Sequence, residues 1–330
     1  MQYFVTGATG LIGGHLVHQL VERGHDVTAL VRSPSKARSL PEDVERVVGD
    51  VTDRRSMRDA MDGSDGVFHL AGWHRIGGGD APTARRVNVE GTRNVLELVS
   101  ELGIPKVVYT SSIAVFSDTG GVSVDESYRY DGPHQTIYDR TKWQAHYEVA
   151  EPLIEAGVPI VIVVPGTVYG PPVAGSSDAN DLRVLWQRYL LGELPFVIRR
   201  GAACWEHVED SARAHRLAMD RGESGETYII AGEPRTFLEL FELAEALTGI
   251  TTPRSLSPGW FRILAPLVAR LERIVTLPSA LQSEVLYRMS GATWLGDNSK
   301  ATSELGLSHR PLEEGLFEYL EWERLQVDAR

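Results

Sequence analysis

Cysteine is almost missing from this chain of 330 residues: Cys204 stands alone. That excludes an intramolecular disulfide framework and a multi-cysteine metal site, fits a reducing compartment, and leaves a buried apolar filler as its plain role; no metal site is expected. Positive charge is also short, with 33 Lys and Arg against 45 Asp and Glu and a net charge of -12. Without a basic run there is no field for a phosphate backbone, so nucleic acid is not an expected partner. No stretch reaches the roughly 18 apolar residues of a spanning helix. The N-terminus enters an apolar strand without the charged flank and small-residue cleavage site of a signal peptide, which points to the cytoplasm.

What is present is a glycine turn in a strand-turn-helix setting. Residues 2–6 read as a strand, Gly7-Ala8-Thr9-Gly10-Leu11-Ile12-Gly13 follows, and Leu16, Leu20 and Val21 then recur at helical spacing. Glycines there let the backbone approach a pyrophosphate whose charge sits among the free N–H groups of a helix start. A second strand, 27–31, ends in Arg32-Ser33-Pro34-Ser35-Lys36, where an NAD site would carry a carboxylate for the ribose 2′-hydroxyl. Arg32 and Lys36 instead suit a 2′-phosphate, so NADP(H) is expected over NAD(H). The strand-helix alternation continues through residues 44–48, 66–70 and 106–110 and the helix at 81–102, which predicts an α/β Rossmann-type doubly wound parallel sheet. Asp50 at a strand end could accept from an adenine amino group with Val51 against the ring, or could simply make a turn. Leu70-Ala71-Gly72 and the loop Trp73-His74-Arg75-Ile76-Gly77-Gly78-Gly79 lie at a strand's carboxyl end, where open α/β sheets bind ligands.

Tyr138 and Lys142 stand one helical turn apart, an acid/base spacing in which an ammonium can stabilise a phenolate. With 11 Tyr and four Lys, such a pair arises by chance about 0.13 times in a chain of this length, so its weight comes from what surrounds it. Thr110-Ser111-Ser112 ends the strand before it and offers a hydroxyl to a substrate oxygen or to a local turn.

Taken together, Gly7-x-x-Gly10-x-x-Gly13, Asp50, Thr110-Ser111-Ser112, Tyr138-x-x-x-Lys142, Asn88-Val89-Glu90-Gly91-Thr92, Pro165 to Pro171 and His207-Val208-Glu209-Asp210 resemble the extended short-chain dehydrogenase/reductase family over nearly the whole chain. The likeness is strongest to dihydroflavonol-reductase-like and hopanoid-associated epimerase-like members. The resemblance implies a substrate-oxygen role for Ser112, the acid/base role for Tyr138, and for Lys142 ribose binding and lowering of the tyrosine pKa. It also implies cofactor contacts from Pro165, Thr167 and Val168 along the nicotinamide and from Leu70, Ala71 and Gly72 along the ribose and pyrophosphate. Departures matter too. Ile113 and Ala114 replace the Asp-Glu pair of dehydratases, Thr167 and Val164 replace the Asn and Arg of many nucleotide-sugar epimerases, and Phe116 replaces a tyrosine. These changes lean towards a reductase or dehydrogenase of a secondary alcohol or ketone. The rivals are a nucleotide-sugar epimerase with tightly bound NAD, a hydroxysteroid-type dehydrogenase, and a cofactor-sensing scaffold that has kept the fold without the chemistry.

Residues 1–165, rejoined by about 202–232, are expected to form the cofactor domain, with 166–201 and 233–330 mostly a smaller, discontinuous substrate lobe. Trp73, His74, Phe116, Tyr169, Trp186 and Trp205 are the candidate substrate contacts. Residues 258–277, apolar with interspersed arginines, could pack over the cleft or lie on a membrane face. The helices 81–102 and 136–156 resemble those that pair in family dimers, so a homodimer is expected.

Overall fold

The computed structural model describes residues 1–75, 80–174, 181–272, 274–275, 277 and 282–328, apart from the side chains of Lys36 and Asp181. In chain order the strands are β1 (Gln2–Thr6), β2 (Asp26–Val31), β3 (Glu45–Val48), β4 (Gly66–His69), β5 (Val107–Thr110), β6 (Ile160–Val164) and β7 (Thr167–Tyr169). They continue with β8 (Phe196–Ile198), β9 (Ala202–His207), β10 (Thr227–Ile229), β11 (Glu233–Thr236), β12 (Arg254–Leu256) and β13 (Thr293–Trp294). Seven of them form one parallel sheet in the order β10-β6-β5-β4-β1-β2-β3. This is the expected doubly wound arrangement, with the strand order reversing between β1 and β4. Helices cover both faces, so the central strands read as continuous apolar runs: Ile160-Val161-Ile162-Val163-Val164 is buried at every position.

The second lobe is organised on β9. It pairs antiparallel with β11 and parallel with β13 and β7. Its apolar core gathers Trp186, Tyr189, Trp205, Phe241, Leu316 and Tyr319. Helix Val208–Arg221, which follows β9, packs on helix Leu11–Glu22 of the first sheet. Cys204 is buried within β9.

Two long helical runs flank β5. One joins Ala81–Arg85, a wider π-type stretch Arg86–Gly91, and Thr92–Glu101. The other joins Ile137–Trp143, a π-type stretch Gln144–Ala150, and Glu151–Glu155. They pack on each other within the chain. The Thr136 hydroxyl caps the second run by accepting from Asp139 N–H at 3.0 Å, which fixes where Tyr138 sits on the first turn.

Candidate active site

The carboxyl ends of β1, β4 and β5 meet at the point where the strand order reverses. Gly7 takes φ +75°, and a Cβ there would stand 2.6 Å from Ala71 N and from Leu70 C. A Cβ on Gly13 would stand 2.1 Å from Gly7 O. Both positions admit only glycine because backbone meets backbone. Gly10 N–H donates to Gly7 O at 2.9 Å, and no side chain caps the helix that starts at Leu11. Its first N–H groups are thus left for an anion, and the turn fits a dinucleotide pyrophosphate with Thr9, Leu11 and Ile12 around it. Leu70 N–H and Ala71 N–H are tied to Thr6 at 3.1 and 3.3 Å, so the second rim of this cradle is fixed as well.

Arg32 is exposed just beyond β2, and the Lys36 side chain lies outside the described residues. Asp50 accepts from Thr52 N–H at 2.9 Å just beyond β3. Val51 is buried beneath it against Gly91.

Around the reacting position, Ser112 Oγ accepts from Ala114 N–H at 3.2 Å, and its hydroxyl stands beside the Tyr138 phenol. Burial pushes the Tyr138 phenol above its ordinary value, with the neighbouring Ser112 hydroxyl and then Arg288 working in the opposite direction. The expected lowering by Lys142 is therefore corrected. Lys142 turns away from the phenol, donating to Thr110 O at 2.7 Å and to the Tyr109 hydroxyl at 3.5 Å, with its ammonium 5.1 Å from the Tyr109 ring centroid. Burial pushes Lys142 down to about 7, so near neutrality the site holds a neutral phenol beside a lysine that is only partly charged.

A buried polar chain supports Lys142 from behind. The His69 ring stacks on Tyr109 and lies between Thr92 Oγ1 at 3.0 Å and Thr6 Oγ1 at 2.7 Å. Burial takes His69 to about 3, so the ring is neutral and serves as a spacer. From the opposite face of β5 His215 Nε2 pairs with Thr110 Oγ1 at 2.9 Å, while His146 Nδ1 pairs with Ser111 Oγ at 2.8 Å on the Lys142 side. The Ser111 hydroxyl is thereby occupied in the core, which leaves Ser112 as the strand-end serine beside Tyr138. Pro165 O accepts from Ile113 N–H at 2.9 Å, which sets the Pro165–Val168 stretch against this strand end. The fully buried Glu206, its carboxyl held well above the usual range by burial, accepts from Gly166 N–H at 3.1 Å.

The candidate substrate residues separate into two groups. His74 is exposed and meets the Tyr138 ring edge-on at 4.6 Å. Trp73 is held beside it by Asn88, which accepts from Trp73 N–H at 2.6 Å and donates to Trp73 O and to Thr141 Oγ1; Ile76 to Gly79 lie outside the described residues. Trp186, Trp205 and Tyr169 are instead buried in the second-lobe core, and Phe116 packs edge-on to Tyr128 in the first. Each of these rings is enclosed by other side chains.

Two residues without any local signature in the chain complete the site. Arg288, on the short helix Ser283–Arg288, pairs with the buried Asp139 at 3.2 Å and lies 4.6 Å from the Trp294 ring centroid. Glu284, one turn earlier, accepts from Ile137 N–H at 2.7 Å. Both grip the first turn of the Tyr138 helix from about 150 residues away in sequence, and no local pattern carries such a contact.

Residues 3–231 match the family described as the NAD dependent epimerase/dehydratase family. The chain is 32% identical, over 97% of its length and 94% of the other's, to a Synechocystis protein named as a dihydroflavonol 4-reductase. It is 33% identical to sterol demethylase protein B of Methylococcus capsulatus, with 93% of each chain covered. Among solved structures, the crystal structure of gox2253 superposes with a TM-score of 0.84 at 31% identity over 98% of both chains.

Proposed function

The chain belongs to the NAD-dependent epimerase/dehydratase family, and from that premise we propose that it is a reductase acting on a ketone or secondary alcohol with NADP(H) as the preferred cofactor. The observation that carries this reading is the placing of the Ser112 hydroxyl and the Tyr138 phenol side by side next to a glycine cradle shaped for a dinucleotide. Gly7, Gly10 and Gly13 hold the pyrophosphate, Arg32 takes the 2′-phosphate, and Lys142, Leu70 to Gly72 and Pro165 to Val168 line the ribose and nicotinamide. A nicotinamide cofactor bound there would supply hydride to the carbonyl carbon, or take it from the carbinol carbon in the reverse direction. Ser112 and Tyr138 hold the carbonyl oxygen, and the Tyr138 hydroxyl transfers its proton to that oxygen as the alcohol forms. A phenol raised by burial is protonated at neutral pH, which favours the reducing direction. His74 and Trp73 form the substrate-side rim. The protein works in the cytoplasm as a homodimer through the outward faces of the two long helical runs.

The test is a panel of ketones with purified protein, read as loss of NADPH absorbance. Net oxidation of added NADPH supports the reductase. Turnover of a nucleotide sugar without added cofactor would replace it by the epimerase reading. On the same substrate, Arg32→Ala is expected to raise the KM for NADPH by about tenfold and leave that for NADH unchanged, since a charge-assisted phosphate contact is lost; equal effects on both would remove the NADP(H) preference.

A further inference from the structure

Helix Gly259–Leu271 turns its apolar side outward. Trp260 is 73% exposed, Ile263 60% and Leu267 53%, and Leu264 and Leu271 continue the same face at helical spacing. Ile274 and Val275 extend the apolar surface beyond the helix end. The helix rests on its other side: Ala265 is fully buried, Phe261 lies 6.1 Å from Phe196, and the body packs on helix Ser283–Arg288. A contiguous apolar stripe of this kind on a soluble surface marks an interaction site.

Charge says what covers it. The chain carries 45 acidic residues, yet none falls between Ala246 and Leu271. Arg254, Arg262 and Arg270 come from that acid-free stretch and are exposed, and Arg199 and Arg200 are exposed on the segment after β8, beside the helix start. Among the described residues, none of the five is paired with a carboxylate. Arg199 bonds Ser255 and Arg262 bonds Ser290 O, contacts that leave their charge uncompensated. A protein with a net charge of -12 thus presents an apolar stripe in an acid-free stretch, with Arg270 on the same helix and further arginines near the helix start left unneutralised. A self-complementary pairing of two copies through this face would set the same arginines against each other. Anionic lipid headgroups over an acyl layer match both the charge and the apolar stripe, with the Trp260 indole at the interface.

We propose that helix Gly259–Leu271 docks this protein on the surface of an anionic bilayer, the apolar face entering the headgroup layer and Arg199, Arg200, Arg254, Arg262 and Arg270 contacting headgroups. The docking needs no turnover, so it stands or falls separately from the reductase assignment.

The test is flotation of the full-length protein with vesicles of phosphatidylcholine alone and of phosphatidylcholine with phosphatidylglycerol. Binding is expected with the anionic vesicles, weakened by about 0.5 M salt. Trp260→Asp and Leu267→Glu are expected to reduce the bound fraction at least about tenfold while their melting temperatures stay at the parent value; both side chains are exposed, so folding is not at stake. Arg254→Gln combined with Arg270→Gln should lower binding to anionic vesicles alone. Failure of the parent protein to float with either vesicle, or unchanged flotation of Trp260→Asp, would overturn the proposal. So would a parent dimer, seen by light scattering, that Trp260→Asp converts to monomer, because a second copy would then cover the face.

Discussion

The two walls of the cleft are built by different means. On the cofactor side, the groups that matter are backbone: Gly7, Gly13 and the N–H groups of a helix start, held by contacts between residues close in sequence or on adjacent strands. On the substrate side they are side chains, and the Tyr138 helix is held by Asn88 from one segment and by Glu284 and Arg288 from a second, distant one. A backbone wall tolerates no added atom. A side-chain wall loses partners one at a time and answers in steps.

The sharpest test of this contrast removes the one atom on which the chemistry turns. Tyr138→Phe keeps the fold and the glycine cradle, so it is expected to lower kcat by about 10³-fold with NADPH affinity, read by fluorescence titration, within about twofold of the parent. On the backbone wall, Gly13→Ala puts a methyl where Gly7 O already stands. About a hundredfold loss of NADPH affinity is expected by the same titration, because the strand-turn-helix unit has to open; normal affinity would show that the cradle gives way easily.

On the side-chain wall, Arg288→Met leaves the Asp139 carboxylate buried without its guanidinium. A loss of about 2 kcal/mol in denaturant stability is expected, below the range for fully enclosed pairs because Arg288 is partly exposed. Adding Asp139→Asn should recover most of it, and additive losses would mean that the pair is not coupled.

The smallest effect is one of pH. Lys142 has a folded value of about 7 against about 10.4 in an unfolded chain. Between these values the unfolded chain holds a proton that the folded one lacks, so stability rises with pH through this window and the cost of burying the charge is full below about pH 7. Lys142→Met is accordingly expected to raise the melting temperature by a few degrees at about pH 6 and by less at about pH 9; a gain that grows with pH would reverse the sign.

The contrast also explains which parts could be read from the chain. Glycine turns, strand-end serines and Tyr138-x-x-x-Lys142 are short-range patterns whose spacing follows from the geometry of one helix or one turn, and the seven-stranded sheet follows from their alternation. Trp186, Trp205 and Phe116 could not be separated from substrate contacts because an aromatic ring suits a core and a cleft equally well; only the surrounding side chains decide. Arg288 and Glu284 had no local signature, since their partners lie about 150 positions away. The direction of the Tyr138 shift was hidden for a related reason. Spacing brings Lys142 near, but Thr110 O and Tyr109, on the neighbouring strand, determine where its ammonium points.

Glu284 and Arg288 stand four apart on one short helix, and each takes hold of a different atom of the turn that carries Tyr138. For anyone exchanging second lobes between relatives to change what such an enzyme accepts, these two positions act as a coupling standard. A donor lobe that brings a glutamate and an arginine in that register can seat on the catalytic helix, and one that lacks them delivers a new pocket to a loosened acid.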